Sequence, residues 1–295
     1  IMRAEDVQNG AHDFKKGDVL VTDMTDPNWE PIMKIASAII TNKGGRTCHA
    51  AIVARELGVP AIVGTKDGTS KVNEHDEVTV CCAQGSVGKV YQGEIPFEVV
   101  TTKVADLPQT CTKLMLNVAS PDMAFNFAHL PHAGVGLARE EFIINNYIKA
   151  HPLALLNHSK LGDEELTQSI KELVVGYENE QEFFVQKLAQ GIAKIAASFY
   201  PEDVIVRFSD FKSNEYANLL GGKYFEPEEE NPMIGWRGAS RYYSQEYKPA
   251  FQLECEAIRT VRDEMGLDNV IVMIPFCRTI GEFKKVLEVM KEFGL

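Results

Sequence analysis

Basic residues are in short supply in this 295-residue chain: 30 Lys and Arg stand against 42 Asp and Glu, a formal net charge of −12. That balance argues against a nucleic-acid partner held by phosphate neutralisation, although local arginines can still bind a small anion. Cysteine is sparse and scattered, with six residues (Cys48, Cys81, Cys82, Cys111, Cys255, Cys277) and no C-x-x-C spacing. Reduced thiols are the expectation in a chain of this size. No apolar run reaches membrane-spanning length and no leader peptide is visible, so the sequence predicts a soluble cytoplasmic protein with no membrane partner. Internal repeats are lacking too. What remains is ordinary for a globular chain, 45% hydrophobic and 24% charged, and long enough for two domains.

Residues 1–95 alternate short strands with helices. GDVLVTDM (17–24), SAIITN (37–42), PAIVGT (60–65) and EVTVCC (77–82) are β-branched runs bounded by turn formers, and GSVGKVYQG (85–93) closes as a hairpin. Asp26-Pro27 is expected to start a helix through Trp29, Ile32, Met33 and Ala36. Asp67-Gly68 and Asn73–Asp76 predict turns, with His75 solvated in the second. Residues 96–110, in a stretch with two prolines and no helical period, predict an interdomain linker.

From residue 111 to 295 the rhythm changes. KLMLNVAS (113–120), AGVGLARE (133–140), VIVRFSD (204–210) and VIVMIPF (270–276) are strand-like, with helical stretches at 123–128 and 163–200 between them. Strand and helix alternating at this spacing predict a parallel sheet or a (β/α)8 TIM-type barrel, of which only about four strands are visible. The chain opens strand-like at Ile1-Met2-Arg3 and stops at Leu295 after an amphipathic helix, which predicts a piece of a longer protein.

The stretch NKGGRTCHAAIVARELGVPAIVG (42–64) organises the first part. Gly44 and Gly45 permit conformations closed to other residues and let a second surface approach. Thr47 is the expected N-cap, placing His49 in the first turn of a helix that Gly58 and Pro60 stop. There the helix dipole favours negative charge by about 0.3–1 kcal/mol. A neutral imidazole at such a place can attack phosphorus while the helix start receives the oxygens; by itself the pattern also fits a histidine that merely packs there. In the second part, Arg139, Arg207 and Arg237 each follow a strand-like or glycine-containing stretch. They fit either a convergent phosphate and carboxylate site or plain ion pairs with Glu140, Asp210 or Glu215. The acidic run Glu226, Glu228, Glu229, Glu230 is expected to be a solvated loop rather than a metal site, and Cys277 a structural residue.

GGRTCHAAIVARELGVPAIVG closely resembles the phosphohistidine signature of the enzymes that make or use phosphoenolpyruvate. GVGLAREEF, RFSDFKSNEY and ENPMIGWRGASRY resemble the successive arginine motifs of that family's barrel. The resemblance covers nearly the whole chain. It implies a small swivelling phosphohistidine α/β domain over 1–95 and the first part of a substrate-binding barrel over 111–295. His49 would carry the phosphoryl group, supported by Gly44, Gly45 and Thr47, and Arg139, Arg207 and Arg237 would bind pyruvate or phosphoenolpyruvate. The strings imply the branch that makes phosphoenolpyruvate from pyruvate, ATP and water. In that reaction His49 is first pyrophosphorylated, AMP leaves, and water removes the outer phosphate. Two relatives in the family stay open: an enzyme using inorganic phosphate in place of water, and one phosphorylating a small carrier protein. An α/β protein with a fortuitous motif is the reading from outside the family. The resemblance further implies ATP as substrate, Mg2+ with its ligands beyond Leu295, and a homodimer.

Overall fold

A computed structural model of the chain describes residues 14–26, 29–98, 100, 103 and 110–295, with the Glu56 side chain excepted. The strand-like Ile1-Met2-Arg3, Pro27 and most of the expected 96–110 linker lie outside these residues. The chain divides into two compact units, Ile1–Thr102 and Lys103–Leu295.

In the first unit three parallel strands are laid down in sequence order: β1 (Val19–Thr22), β2 (Ala38–Thr41) and β3 (Ala61–Val63). β2 is central and buried along its length, which is why AIIT carries no polar alternation. Register pairs Thr22 with Thr41 and Thr41 with Val63, so the carboxyl ends of all three strands stand side by side. Helix α1 (Glu30–Met33) is shorter than the sequence period suggests, though its Ile32 and Met33, with Trp29 and Ala36, do pack into the core. Helix α2 (His49–Leu57) adds Ala50 and Ala54 to that core and ends at Gly58, which takes the left-handed conformation. The turn expected at Asp67-Gly68 is instead the start of a short helix, α3 (Gly68–Lys71), because the free N–H groups there find the Asp67 carbonyl at Ser70 and Lys71. Strands β4 (Val78–Cys81) and β5 (Lys89–Gln92) form an antiparallel hairpin, and His75 is exposed in the turn that precedes β4.

The second unit is built on four parallel strands in the unbroken order β6 (Leu116–Val118), β7 (Val135–Arg139), β8 (Val204–Arg207) and β9 (Val270–Met273). Helix α4 (Pro121–Phe127) follows β6. After β7 come α5 (Glu140–Ile143), α6 (Pro152–Asn157), α7 (Glu164–Leu173) and α8 (Glu180–Phe199). The single helical stretch expected over 163–200 is thus two helices, the second begun by Asn179, whose side chain accepts the Glu182 N–H. Phe184, Leu188, Ile192 and Ile195 form the buried stripe of α8, each contributing on the order of 1.5–3 kcal/mol. α9 (Ser213–Ala217), α10 (Ala239–Tyr242) and α11 (Lys248–Arg259) separate β8 from β9, and α12 (Ile280–Glu292) follows. Both units are mixed α/β with parallel sheets, as the strand and helix alternation predicts. No helix among the described residues is long and apolar enough to cross a membrane, and all six cysteines are free.

Candidate functional site

The parallel register of β1 and β2 brings the segments that follow them together. Asn42 N donates to the Thr22 carbonyl (3.1 Å), Lys43 N to the Asp23 carbonyl (2.9 Å), and Lys43 Nζ pairs with Asp23 (2.7 Å). Thr25, at the end of the first segment, is thereby held against the start of α2, and its Oγ1 lies 3.0 Å from His49 Nδ1. Half-burial lowers the His49 pKa, opposed by the nearby Asp26 and Glu30 carboxylates, so the ring is neutral near pH 7. The contact fits two tautomers: Nδ1–H donating to Thr25 Oγ1 leaves the lone pair on Nε2, and Thr25 Oγ1–H donating to Nδ1 leaves the proton on Nε2.

The cap differs from expectation. Cys48, in extended backbone (φ −73°, ψ 162°), is the N-cap, and Thr47 lies one residue outside, exposed. Cys48 makes no side-chain cap, which leaves the first-turn N–H groups of α2 available to an incoming oxygen among the described residues. The shift has a steric cause. Gly44 sits at φ +115°, and a Cβ there would stand 2.7 Å from Cys48 Sγ, so the chain folds Cys48 into the space the glycine leaves. Gly45 faces open space and adopts no left-handed conformation. Of the two glycines only Gly44 is required by its own backbone.

In the second unit Arg139 and Arg207 are register partners at the carboxyl ends of β7 and β8. Asp210, three residues beyond Arg207 and almost fully buried, joins two of the three arginines. Arg237 donates to it in a bidentate manner (Nε to Oδ1 2.7 Å, Nη2 to Oδ2 3.0 Å), and Arg207 Nη1 is 3.2 Å from Oδ2. Glu141 Oε1 accepts from Arg207 Nη2 and from the Asp210 backbone N–H, both at 2.7 Å. The Arg237 guanidinium lies 4.1 Å over the Phe276 ring, and that of Arg139 lies 4.5 Å over Phe142. Arg139 forms no ion pair among the described residues, so it is held beside the cluster rather than in it. Three guanidiniums against two carboxylates leave one surplus positive charge, with forks suited to carboxylate and phosphate oxygens. Neither Glu140 nor Glu215 takes the pairing role the sequence allowed; Glu215 pairs with Lys212 at 2.8 Å.

Glu140 is instead fully buried beside Glu254. Burial, Glu254 and Glu141 together push the Glu140 carboxyl well above its usual range, while burial pushes Glu254 up to about 7. Glu254 accepts from Ser209 N–H (3.1 Å), Ser209 Oγ (2.6 Å) and Tyr247 Oη (3.2 Å). Glu140 directly follows Arg139 in the chain, and Glu254 holds Ser209, the residue before Asp210.

Two expectations fail in the second unit. The acidic run is only partly a solvated loop: Glu228 and Glu230 are exposed, but the Glu226 side chain is buried in an ion pair with Arg241 and accepts from His151 Nε2 (3.0 Å), and the part-buried Glu229 accepts from Ser213 Oγ (2.5 Å) and the Trp236 N–H (2.8 Å). Buried arginine and backbone donors hold these carboxylates in place of water. Cys277 does not pack as a structural residue; it is exposed, with Sγ 3.5 Å from the Thr279 carbonyl. Thr25, Glu141 and Arg241 went unseen in the sequence, and only the R-x-x-D spacing of Arg207 and Asp210 offered a local signal. No grouping of three His, Cys, Asp or Glu side chains fit for a metal ion occurs among the described residues.

Comparison with known proteins bears on both units. The family described as "PEP-utilising enzyme, mobile domain" matches residues 14–85, and "PEP-utilising enzyme, PEP-binding domain" matches residues 97–294. The phosphoenolpyruvate synthase of a Synechocystis species is 59% identical over 283 residues, covering 96% of this chain and 35% of the relative. That of Aquifex aeolicus is 52% identical, covering 97% and 39%, and that of Escherichia coli 56% identical, covering 96% and 36%. The chain therefore spans little more than a third of the length of these relatives. With family matches running through both the histidine unit and the arginine unit, this chain belongs to the PEP-utilising enzymes.

Proposed function

We propose that the protein containing this chain makes phosphoenolpyruvate from pyruvate, ATP and water, and that this chain supplies the phosphoryl carrier and the first part of the acceptor site. The observation that carries the reading is His49 at the start of α2 with its Nδ1 3.0 Å from Thr25 Oγ1; in the tautomer where Nδ1–H donates to Thr25, Nε2 is the nucleophile. Its relatives bear the name phosphoenolpyruvate synthase, which supplies the reaction.

Nε2 attacks phosphorus of the nucleotide, and AMP leaves with the oxygen of the broken P–O bond. Water then takes the outer phosphoryl group as orthophosphate, leaving one phosphoryl on Nε2. The first-turn N–H groups and the dipole of α2 balance its charge. In the second half-reaction the enolate oxygen of pyruvate attacks that phosphorus, the P–N bond breaks, and its electron pair returns to Nε2. Thr25 keeps the ring in the tautomer that can begin again. Arg207 and Arg237, cross-tied by Asp210, hold the carboxylate and phosphoryl oxygens in line, with Arg139 beside them. Catalysis on this half is positioning and charge stabilisation. Mg2+ would neutralise phosphoryl oxygens when bound; the described residues supply no complete ligand set for it, and no step here depends on one. The sequential order β6-β7-β8-β9, without reversal, supports a (β/α)8 barrel of which these strands are the first half.

Phosphorus NMR on the full gene product with ATP, pyruvate and magnesium tests the reading. AMP, orthophosphate and phosphoenolpyruvate should form without added phosphate, and His49→Ala should abolish them. A requirement for phosphate with pyrophosphate as product would replace water by phosphate as second acceptor. No phosphoenolpyruvate under either condition would sink the proposal.

A further inference from the structure

The acidic segment that the sequence marks as solvent-facing is wired to the residue immediately before Arg237. Trp236 has both backbone polar groups held by charged side chains: its N–H donates to Glu229 Oε1 (2.8 Å), and its carbonyl accepts from Arg241 Nε (2.9 Å). Both charges are themselves anchored. Glu229 Oε2 accepts from Ser213 Oγ, on the helix that follows the Arg207–Asp210 segment. Arg241 is fully buried, forked onto Glu226 and lying 4.2 Å over the Trp236 ring, 4.7 Å over Tyr216 and 5.3 Å over Tyr247. Glu226 is fixed in turn by His151 Nε2–H, since His151 Nδ1 accepts the Leu153 N–H and so carries no proton. Downstream, Gly238 at φ +58° lies so close to the Pro275 carbonyl and Phe276 that a side chain could not fit, and Ala239 N donates to the same carbonyl (3.0 Å).

We propose that Glu229 and Arg241 are positioning residues for Arg237: by clamping the Trp236 peptide groups they set where the Arg237 guanidinium meets Asp210 and the substrate anion. The need for such a clamp is physical. Arg237 sits on a segment with no regular secondary structure between 226 and 238, and a free arginine loses much of its rotamer and backbone freedom on binding an anion. Fixing Trp236 in advance removes that loss. Asp210 would then find Arg237 Nε–H already in place, with Arg207 on its other side. That Arg237 binds substrate rests on the function proposed above; that the clamp sets Arg237 does not.

The two are separated by using two readouts. In this chain, the Arg237 Nε–H resonance is identified by its loss in Arg237→Lys and followed by hydrogen exchange. In the full gene product, kcat and KM for pyruvate are measured. Glu229→Ala should speed exchange of that Nε–H by about tenfold or more and raise KM more than it lowers kcat, with unit stability monitored by Trp236 fluorescence. Glu229→Gln, which retains an acceptor for Trp236 N–H and can donate to Ser213, should restore both. Should Glu229→Ala fail to fold, Ser213→Ala removes only the anchor of Glu229 and should speed the same exchange a few-fold. An unchanged Arg237 Nε–H in a folded Glu229→Ala or Ser213→Ala variant overturns the clamp. Equal loss in Glu229→Gln and Glu229→Ala overturns it as well. If exchange responds as stated but the wild-type gene product makes no phosphoenolpyruvate, the clamp stands and the functional reading falls.

Discussion

Thr25 Oγ1 and His49 Nδ1 stand 3.0 Å apart although 24 residues separate them in the chain. The contact exists because β1 and β2 run parallel and in register to Thr22 and Thr41, which delivers the segments after both strands to one place. Thr25→Val keeps the shape and removes the hydrogen-bonding oxygen, so both the ring orientation and the preference for an Nε2 lone pair weaken. Phosphorylation of His49 should slow by about tenfold, ~1.4 kcal/mol in the barrier. The rate of phosphohistidine formation, followed by phosphorus NMR in the full gene product, measures it; an unchanged rate would remove Thr25 from the mechanism.

Gly44 and Gly45 respond differently to the same change. Gly44→Ala forces a left-handed conformation on alanine and drives its Cβ into Cys48, and the first unit should lose about 1–3 kcal/mol. Gly45→Ala meets nothing within 4 Å and should stay within about 0.5 kcal/mol of wild type. Trp29, buried in the core of this unit, reports both by fluorescence in urea.

The acid pair Glu140 and Glu254 makes the second unit less stable as the solution becomes more alkaline. Both carboxyls have folded pKa values raised by burial, so between the ordinary value of 4.5 and the raised value the folded state binds more protons than the unfolded chain. Their stabilising contribution is fully present below about pH 4.5 and is lost as pH rises; for Glu254 the loss runs to about pH 7. Glu140→Gln replaces a carboxyl that is neutral when folded and should flatten the decline by up to ~1.4 kcal/mol per pH unit. Urea midpoints at pH 5, 6 and 7, read from Trp236, test this; an undiminished slope in the variant would contradict it.

Arg207→Lys removes the fork that spans Glu141 and Asp210, since one ammonium cannot reproduce two separate guanidinium donors. Affinity for phosphoenolpyruvate should fall about tenfold with the fold intact, ~1.4 kcal/mol by calorimetry. Retained affinity would place the binding elsewhere.

Much of the backbone could be read before any coordinates. VLVT, AIIT, VIVR and VIVM are short, mostly β-branched apolar runs without polar alternation, the pattern of parallel strands, and that is a local property. The start of α2 near His49 and its stop at Gly58 are likewise local, governed by capping and backbone permissiveness within a few residues. The N-cap slipped from Thr47 to Cys48 because a steric fit between Gly44 and Cys48 outweighed a hydroxyl preference worth only about 1 kcal/mol.

Pairing in space was another matter. An acidic run such as Glu226–Glu230 looks the same locally whether water or a buried arginine neutralises it; only the fold, by bringing Arg241, His151, Ser213 and Trp236 to it, decided that Glu226 is buried and Glu229 tied down while Glu228 and Glu230 stay exposed. The same holds for Asp210 between Arg207 and Arg237, and for Thr25 beside His49. Local pattern determined which residues make strands and helices and which histidine begins a helix. Burial and long-range register, which depend on every strand finding its neighbour, decided which charges meet and which hydroxyl stands beside the His49 ring.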